Sequence, residues 1–283
     1  MSALDVARKD FKGARRSRSL WAVATLLGAL TALIAFGYQG YQLSPRETVV
    51  QLFSTMGLLL AMLLPIVALV ASYMAIAGER ESGGVKFLLG LPNTRRDVFL
   101  GKLLSRLAVV AAGVTFMFVT ASAVAVARHG TLPVDVAVGM LAISLVYAAV
   151  FVAIAVALSS ALAERSRAIA AAIGSYFLLV ILYVVPGIGV STVAQWVHTT
   201  MLGAEPNLDL YNAVTYTSPF IAYRKAVNLV MPAGMEQRVL QRTGENGELP
   251  AYLGDEVSLA VFAVWLVVPL AIGYLRFEGA DLE

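Results

Sequence analysis

The sequence predicts an all-α polytopic membrane protein with six transmembrane helices, one interfacial helix ahead of them and one polar cytosolic segment between two of them. The 283 residues are 59% hydrophobic and only 14% charged, a composition that does not fit a soluble domain. A helix needs about 20 apolar residues to cross a hydrocarbon core of roughly 30 Å. Six apolar runs are long enough: 20–37, 52–77, 103–127, 136–162, 168–190 and 257–275.

Residues 3–18 have the pattern of a basic amphipathic helix. Their basic side chains, Arg15 and Arg16 among them, fall largely outside a stripe of apolar residues at helical spacing, Leu4, Ala7, Phe11 and Ala14. Such a helix can lie in the headgroup layer with its apolar stripe toward the lipid. The alternative is a disordered basic tail that only enforces topology. The run that follows starts too late, and lacks a small-residue cleavage site, to be a removable signal peptide.

The distribution of basic residues predicts the orientation. Most of the 21 Lys and Arg residues fall on the same side of the predicted membrane as the N-terminus. The exceptions are Arg46, Arg128, Arg224, Lys225, Arg238 and Arg242. Because an excess of Lys and Arg marks the cytoplasmic side, we expect both termini in the cytoplasm and the protein in the cell membrane.

Residues 191–256 form the longest segment between two runs, and we expect them to form a cap on the outer side. Apolar residues at helical spacing predict two or three short helices here that lie at the outer interface or partly re-enter it. The sequence leaves open whether this cap is a lid on a pathway or a packed surface without gating.

The sequence contains no motif typical of catalysis. A phosphate-binding loop is absent, and in Gly101-Lys102, the only Gly-Lys pair, the preceding glycine of that motif is missing. The two histidines, His129 and His198, are isolated, and there is no cysteine. We therefore expect no enzymatic activity, no cofactor, no metal and no nucleic-acid partner for this chain.

The predicted spans also lack an internal source of energy. Coupled carriers usually place acids or bases inside their spans, whereas the polar residues in these six cores are hydroxyls. Arg106 lies close enough to the predicted membrane surface to extend its charge toward it. Pro65 removes one backbone hydrogen bond from the second span and predicts a kink there.

The segment 78–102 is the strongest polar interruption in the first half of the chain. Two acids, Glu79 and Glu81, stand at its start, and the pair Gly83-Gly84 permits a sharp break. A short helix can follow this break, so the segment is more than a plain hairpin between two spans.

The middle of this segment is apolar. In water its side chains would form an unusually large exposed patch, made of Val85, Phe87, Leu88, Leu89 and Leu91. Docked in the groove of a cytosolic partner they would be covered, with Arg95 and Arg96 as rim charges. The alternative is that this helix packs on the protein's own helices or lies in the headgroup region.

At this segment the sequence resembles the permeases of ABC-2-type transporters. The matching residues are Glu79-x-Glu81-x-Gly83, Leu88-Leu89, Leu91-Pro92, Arg95-Arg96 and Phe99-Leu100-Gly101-Lys102. Both ends of the chain agree, through Ala7-Arg8-Lys9-Asp10-Phe11 with Arg16-Ser17-Arg18 and through Arg276-Phe277-Glu278-Gly279-Ala280-Asp281-Leu282. Gly84 departs from the family, which often has Thr there. The most similar subgroup includes the permease associated with nitrous-oxide-reductase maturation, and Ser218-Pro219-Phe220 resembles archaeal members.

The resemblance implies an exporter subunit with an N-terminal elbow helix over residues 3–18 and a cytosolic coupling helix within 78–102. Two permease subunits, as a homodimer or a heterodimer, would dock two separate ATP-binding subunits that hold ATP and Mg. Glu79 and Glu81 would then transmit motion, while Val85 to Leu91 would fill the ATPase groove. A competing interpretation is a non-transporting membrane scaffold that recruits a cytosolic factor or assists assembly of an extracytoplasmic enzyme.

Overall fold

The structure is a computed structural model that describes residues 2–16, 18–81, 83, 94–162, 164–185, 189–240 and 250–279. Throughout this part of the chain the regular secondary structure is helical, which confirms the all-α class. The helices are α1 (Ala3–Arg15), α2 (Arg18–Gly37), α3 (Pro45–Ser72), α4 (Ala77–Glu81), α5 (Arg95–His129), α6 (Val134–Ala161), α7 (Arg165–Val184, with a π-helical turn at Phe177–Ile181), α8 (Val190–Trp196, continuing as a π-helical turn over Val197–Met201), α9 (Leu208–Tyr216), α10 (Pro219–Asn228) and α11 (Val257–Glu278).

Five helical segments among the described residues are long and apolar enough to cross a membrane. They are Pro45–Glu81, Arg95–His129, Val134–Ala161, Arg165–Val184 and Val257–Glu278. This confirms a polytopic membrane protein. Helix α2 is 20 residues long, and its described side chains form a shorter apolar stretch, Leu27–Gly37. The sixth span therefore stays a prediction.

Two helices begin earlier than the apolar runs indicated, because capping boxes start them. The backbone N–H of Asp97 donates to the Thr94 hydroxyl over 3.1 Å, and the Thr94 N–H donates to the Asp97 carboxylate over 3.1 Å. Ser44 and Glu47 form the same pair ahead of α3. Two parts of the predicted cytosolic segment 78–102 are thus helical: α4 occupies its first residues and α5 its last eight.

Contacts between non-neighbouring residues define two ends of the bundle. The "α1 end" holds α1, α4, the start of α5 and the last turn of α11. The "cap end" holds α8 to α10 and the starts of α3, α6 and α11. Helix α6 lies between α3, α5 and α11 and is the most buried span, whereas few residues of α7 and α11 are fully buried.

Helix α10 lies inside the bundle rather than on its surface. Eight of its ten residues are buried. The Tyr223 ring stacks on Tyr147, near the middle of the 28-residue α6. At its cap end, the Lys225 ammonium lies 2.6 Å from the Asp255 carboxylate. The segment predicted as an outer cap therefore sends one helix deep between the spans.

Candidate functional site

The α1 end contains a buried cluster of two acids and two bases, which we call the Lys102 cluster. The Lys102 ammonium lies 2.6 Å from the Asp10 carboxylate and 2.7 Å from the Glu79 carboxylate. The Arg106 guanidinium lies 3.1 Å from the same Asp10 side chain. The Lys102 side chain is only 4% exposed, so its charge depends on these two carboxylates.

The Lys102 cluster joins three helices that are far apart in sequence. Asp10 belongs to α1, Glu79 to α4, and the two bases to α5. Lys102 and Arg106 are four residues apart and so project from one face of α5. Arg106, expected to extend its charge toward the membrane surface, is paired with Asp10 of α1.

Helix α1 lies against α5 in a close backbone contact at Gly101. A Cβ atom at Gly101 would sit 2.6 Å from the Val6 Cβ and 2.8 Å from the Ala3 carbonyl oxygen. No real side chain fits this space without movement of α1, so a glycine here permits the approach that brings Asp10 to Lys102. The face of α1 that packs inward carries Val6, Ala7, Asp10 and Ala14.

Helix α4 is held by the end of α6. The backbone N–H groups of Ile76 and Ala77 each donate to the Ser159 hydroxyl over 3.0 Å. These groups begin α4, where intrahelical partners are missing. The Arg80 guanidinium donates to the Ser160 carbonyl oxygen over 3.2 Å and lies over the Phe277 ring.

Arg95 fastens the last turn of α11 to the first turn of α5. Its guanidinium donates to the carbonyl oxygens of Phe277 and Glu278 over 2.9 and 2.7 Å. The final carbonyls of a helix lack intrahelical donors and carry partial negative charge, so a cation there is favourable. The α1 end is therefore one connected platform built from α1, α4, α5, α6 and α11.

Comparison with known proteins identifies the family. The sequence model of the ABC-2 family of transporter proteins matches residues 4–282, nearly the whole chain. The chain belongs to the ABC-2 transporter family. It is similar to the probable ABC transporter permease protein NosY of Pseudomonas aeruginosa, 31% identical over 188 residues, and to that of Stutzerimonas stutzeri, 33% identical over 194 residues. The matches cover 63% of this chain and 66% and 67% of the two relatives.

This ABC-2 protein is accordingly a membrane permease subunit of an ABC transporter, as the resemblance implied. Members of that class work with ATPase subunits, which agrees with the lack of a phosphate-binding loop in this chain. Both relatives are bacterial, so the likeness to archaeal members stays a prediction.

The structure places only part of the predicted site of this ABC-2 permease. Glu79 pairs with Lys102, whereas Glu81 is exposed. Arg95 binds the end of α11 and is not a free rim charge; Arg96 is exposed. The apolar docking residues Val85, Phe87, Leu88, Leu89 and Leu91 lie outside the described residues, so their role stays a prediction.

The elbow residues divide between two faces of α1. Leu4 is 61% exposed, Phe11 is half-buried and Arg16 is exposed. The side chain of Arg15 lies outside the described part. The predicted stripe is thus split, because Ala7 and Ala14 pack on α5 while Leu4 faces outward. This leaves Leu4 free to contact lipid.

Sequence reasoning missed Asp10, Lys102, Ser159 and Ser160. A signal existed for Asp10: it is spaced three and four residues from Ala7 and Ala14 and so shares their face of the helix. No local pattern marks Ser159 and Ser160, because the backbone groups they bind come from α4 and α11, which lie far away in sequence.

Lowering the pH is expected to weaken the attachment of α1 to α5 through Asp10. Burial raises the pKa of the Asp10 carboxyl, but the charges of Lys102 and Arg106 outweigh burial and hold that pKa below its ordinary value. Since the folded-state pKa is lowered, the stabilisation is full above about pH 4 and is lost as the pH falls through the folded-state pKa. We expect the difference in melting temperature between the parent and Asp10→Asn to shrink steadily below that pH. A difference that stays constant down to about pH 2 would show that Asp10 ionisation does not stabilise the fold.

Proposed function

We propose that this permease is the membrane subunit of an exporter, driven by separate ABC ATPase subunits that dock on residues 78–92. The supporting observation is the connected platform at the α1 end. The described chain leaves this platform at α4 and re-enters it at Thr94, so any partner that binds the segment between them acts directly on α4 and α5. ATP and Mg would reside in the ATPase subunits.

The proposed assembly contains two permease subunits, identical or homologous, and two ATPase subunits. The permease lies in the cell membrane with both termini and the α1 end in the cytoplasm, where basic residues are concentrated. We call residues 78–92 the docking segment. When the ATPase displaces this segment, Glu79 moves with it, and its contact with Lys102 moves α1 and α5.

Replacing Leu88 and Leu89 together by Asp is expected to abolish co-purification of the permease with its ATPase. Two carboxylates in an apolar groove would lose the hydrophobic contact and leave unpaired charge buried. We expect each substitution to cost about 3 kcal/mol or more of binding free energy. The measurement is pull-down of the ATPase with tagged permease from detergent-solubilised membranes.

Tyr41→Asp provides the matched control, because Tyr41 is 92% exposed in a turn at the cap end. Both variants should insert into membranes at the parent level. Full ATPase recovery with the Leu88 and Leu89 variant would refute docking at this segment.

The scaffold interpretation predicts docking without a requirement for ATP. The two functions separate when the permease is added to its ATPase and hydrolysis is followed. An exporter subunit should alter the hydrolysis rate, and a passive scaffold should leave it unchanged.

A further inference from the structure

Helix α3 contains a proline break that a neighbouring helix closes. Pro65 has no N–H, so the carbonyl oxygen of Ala61, four residues earlier, loses its helical donor. That carbonyl lies among fully buried residues, where an unpaired polar group is unfavourable. The Tyr147 hydroxyl of α6 donates to it over 2.7 Å. The Tyr147 hydroxyl therefore supplies the donor that Pro65 lacks.

The ring of the same tyrosine holds α10. Tyr147 stacks on Tyr223 with ring centroids 4.3 Å apart and planes inclined by 18°. The Tyr223 hydroxyl pairs with Ser144, one turn of α6 away, over 2.9 Å. Both tyrosines are fully buried. One side chain of α6 thus contacts the break in α3 through its hydroxyl and α10 through its ring.

Helix α3 also touches α10 directly, toward the cap end from the break. A Cβ at Gly57 would lie 3.7 Å from a Val227 methyl group, at ordinary contact distance. On the other side of the break, α3 leads into α4, which the Lys102 cluster and Ser159 hold. The proline break therefore lies between the half of α3 that ends at the platform and the half that packs on α10.

We propose that Tyr147 is a positioning residue for transport, which carries displacement of α3 from the α1 end to α10 at the cap end. This inference rests on the proposed function, because it needs an ATPase that moves α4. Pro65 allows the two halves of α3 to bend relative to each other, and Tyr147 ties that bend to α10. Helix α10, which belongs to the cap end, then responds to events at the α1 end.

The test is hydrogen exchange of the permease–ATPase complex in lipid nanodiscs, with and without ATP, Mg²⁺ and vanadate. Residues 77–81 report the α1 end, and residues 219–228 report α10. In the parent we expect nucleotide to change exchange in both segments. In Tyr147→Phe we expect the change at 77–81 to persist and that at 219–228 to fall about fivefold.

Two further variants separate positioning from simple stabilisation. Pro65→Ala combined with Tyr147→Phe returns a backbone N–H to the Ala61 carbonyl, so it should regain melting temperature without regaining the α10 response. Tyr274→Phe removes an exposed hydroxyl 3.4 Å from Glu278 and should behave as the parent.

The outcomes separate the role of Tyr147 from the proposed function. If residues 219–228 do not respond in the parent, or respond equally without the Tyr147 hydroxyl, the inference is wrong. The inference also fails if the double variant regains the α10 response together with its stability. If residues 77–81 of the parent do not respond to nucleotide, the proposed function itself fails.

Discussion

Replacing Lys102 by Met is expected to destabilise the permease by about 3 kcal/mol, the largest effect of any single exchange at the α1 end. The substitution preserves most of the apolar stem but removes the charge that Asp10 and Glu79 share. Both carboxylates would then have to find water or remain partly buried without their main partner. Denaturation in mixed micelles measures the free energy of unfolding.

Lys12→Met is the matched control, since Lys12 is an exposed cation on α1. It should change the free energy of unfolding by less than about 0.5 kcal/mol. A double-mutant cycle with Asp10→Asn should show that the two exchanges cost less together than the sum of their separate costs. Equal stability of Lys102→Met and Lys12→Met would contradict the structural role of the Lys102 cluster.

Exchanging Gly101 for Ala is expected to displace α1 from α5. The new methyl group would lie 2.8 Å from the Ala3 carbonyl oxygen, and backbone cannot turn aside as a flexible side chain can. Overpacking of this kind costs about 1–3 kcal/mol, and it would outweigh the gain of about 1 kcal/mol that alanine brings to a helix interior. Asp10 would move with α1 and lengthen its contact to Lys102.

Gly113 offers a control on the same helix. A Cβ at that position meets nothing within 4 Å, so Gly113→Ala should keep or raise stability. Thermal unfolding of the two variants side by side, with a cysteine cross-link between α1 and α5 as a second readout, distinguishes the sites. The chain has no cysteine of its own to interfere. If both alanine variants melt alike, the close approach at Gly101 is not required.

The existence of the spans could be predicted from the sequence, because a hydrocarbon core imposes a length that apolar runs display directly. Their ends could not be read from hydropathy. Arg95 and Arg96 look like loop residues by polarity, yet the Thr94–Asp97 capping box places them in the first turn of α5. Attention to capping residues would have found this start.

The Lys102 cluster and the burial of α10 could not be predicted in the same way. Asp10, Glu79 and Lys102 meet only when three helices pack together, and no local pattern in the sequence indicates that they pair with one another. The sequence predicts short helices that lie at the outer interface or partly re-enter it, and it gives no sign that Lys225 pairs with Asp255, the contact that satisfies its charge inside the bundle. The length of an apolar run in the sequence indicates a span, whereas these ion pairs depend on how the helices pack in the tertiary structure.

Transmission through the platform is tested most directly by ATP hydrolysis by the complex in liposomes, with parent permease and with Lys102→Met, at equal amounts of bound ATPase. We expect Lys102→Met to bind the ATPase as the parent does, because the docking segment is intact. We expect the permease-dependent change in hydrolysis rate to fall about tenfold, since α4 no longer moves α1 and α5 as one body. A Lys102→Met complex that hydrolyses ATP at the parent rate would show that the platform at the α1 end does not transmit the motion.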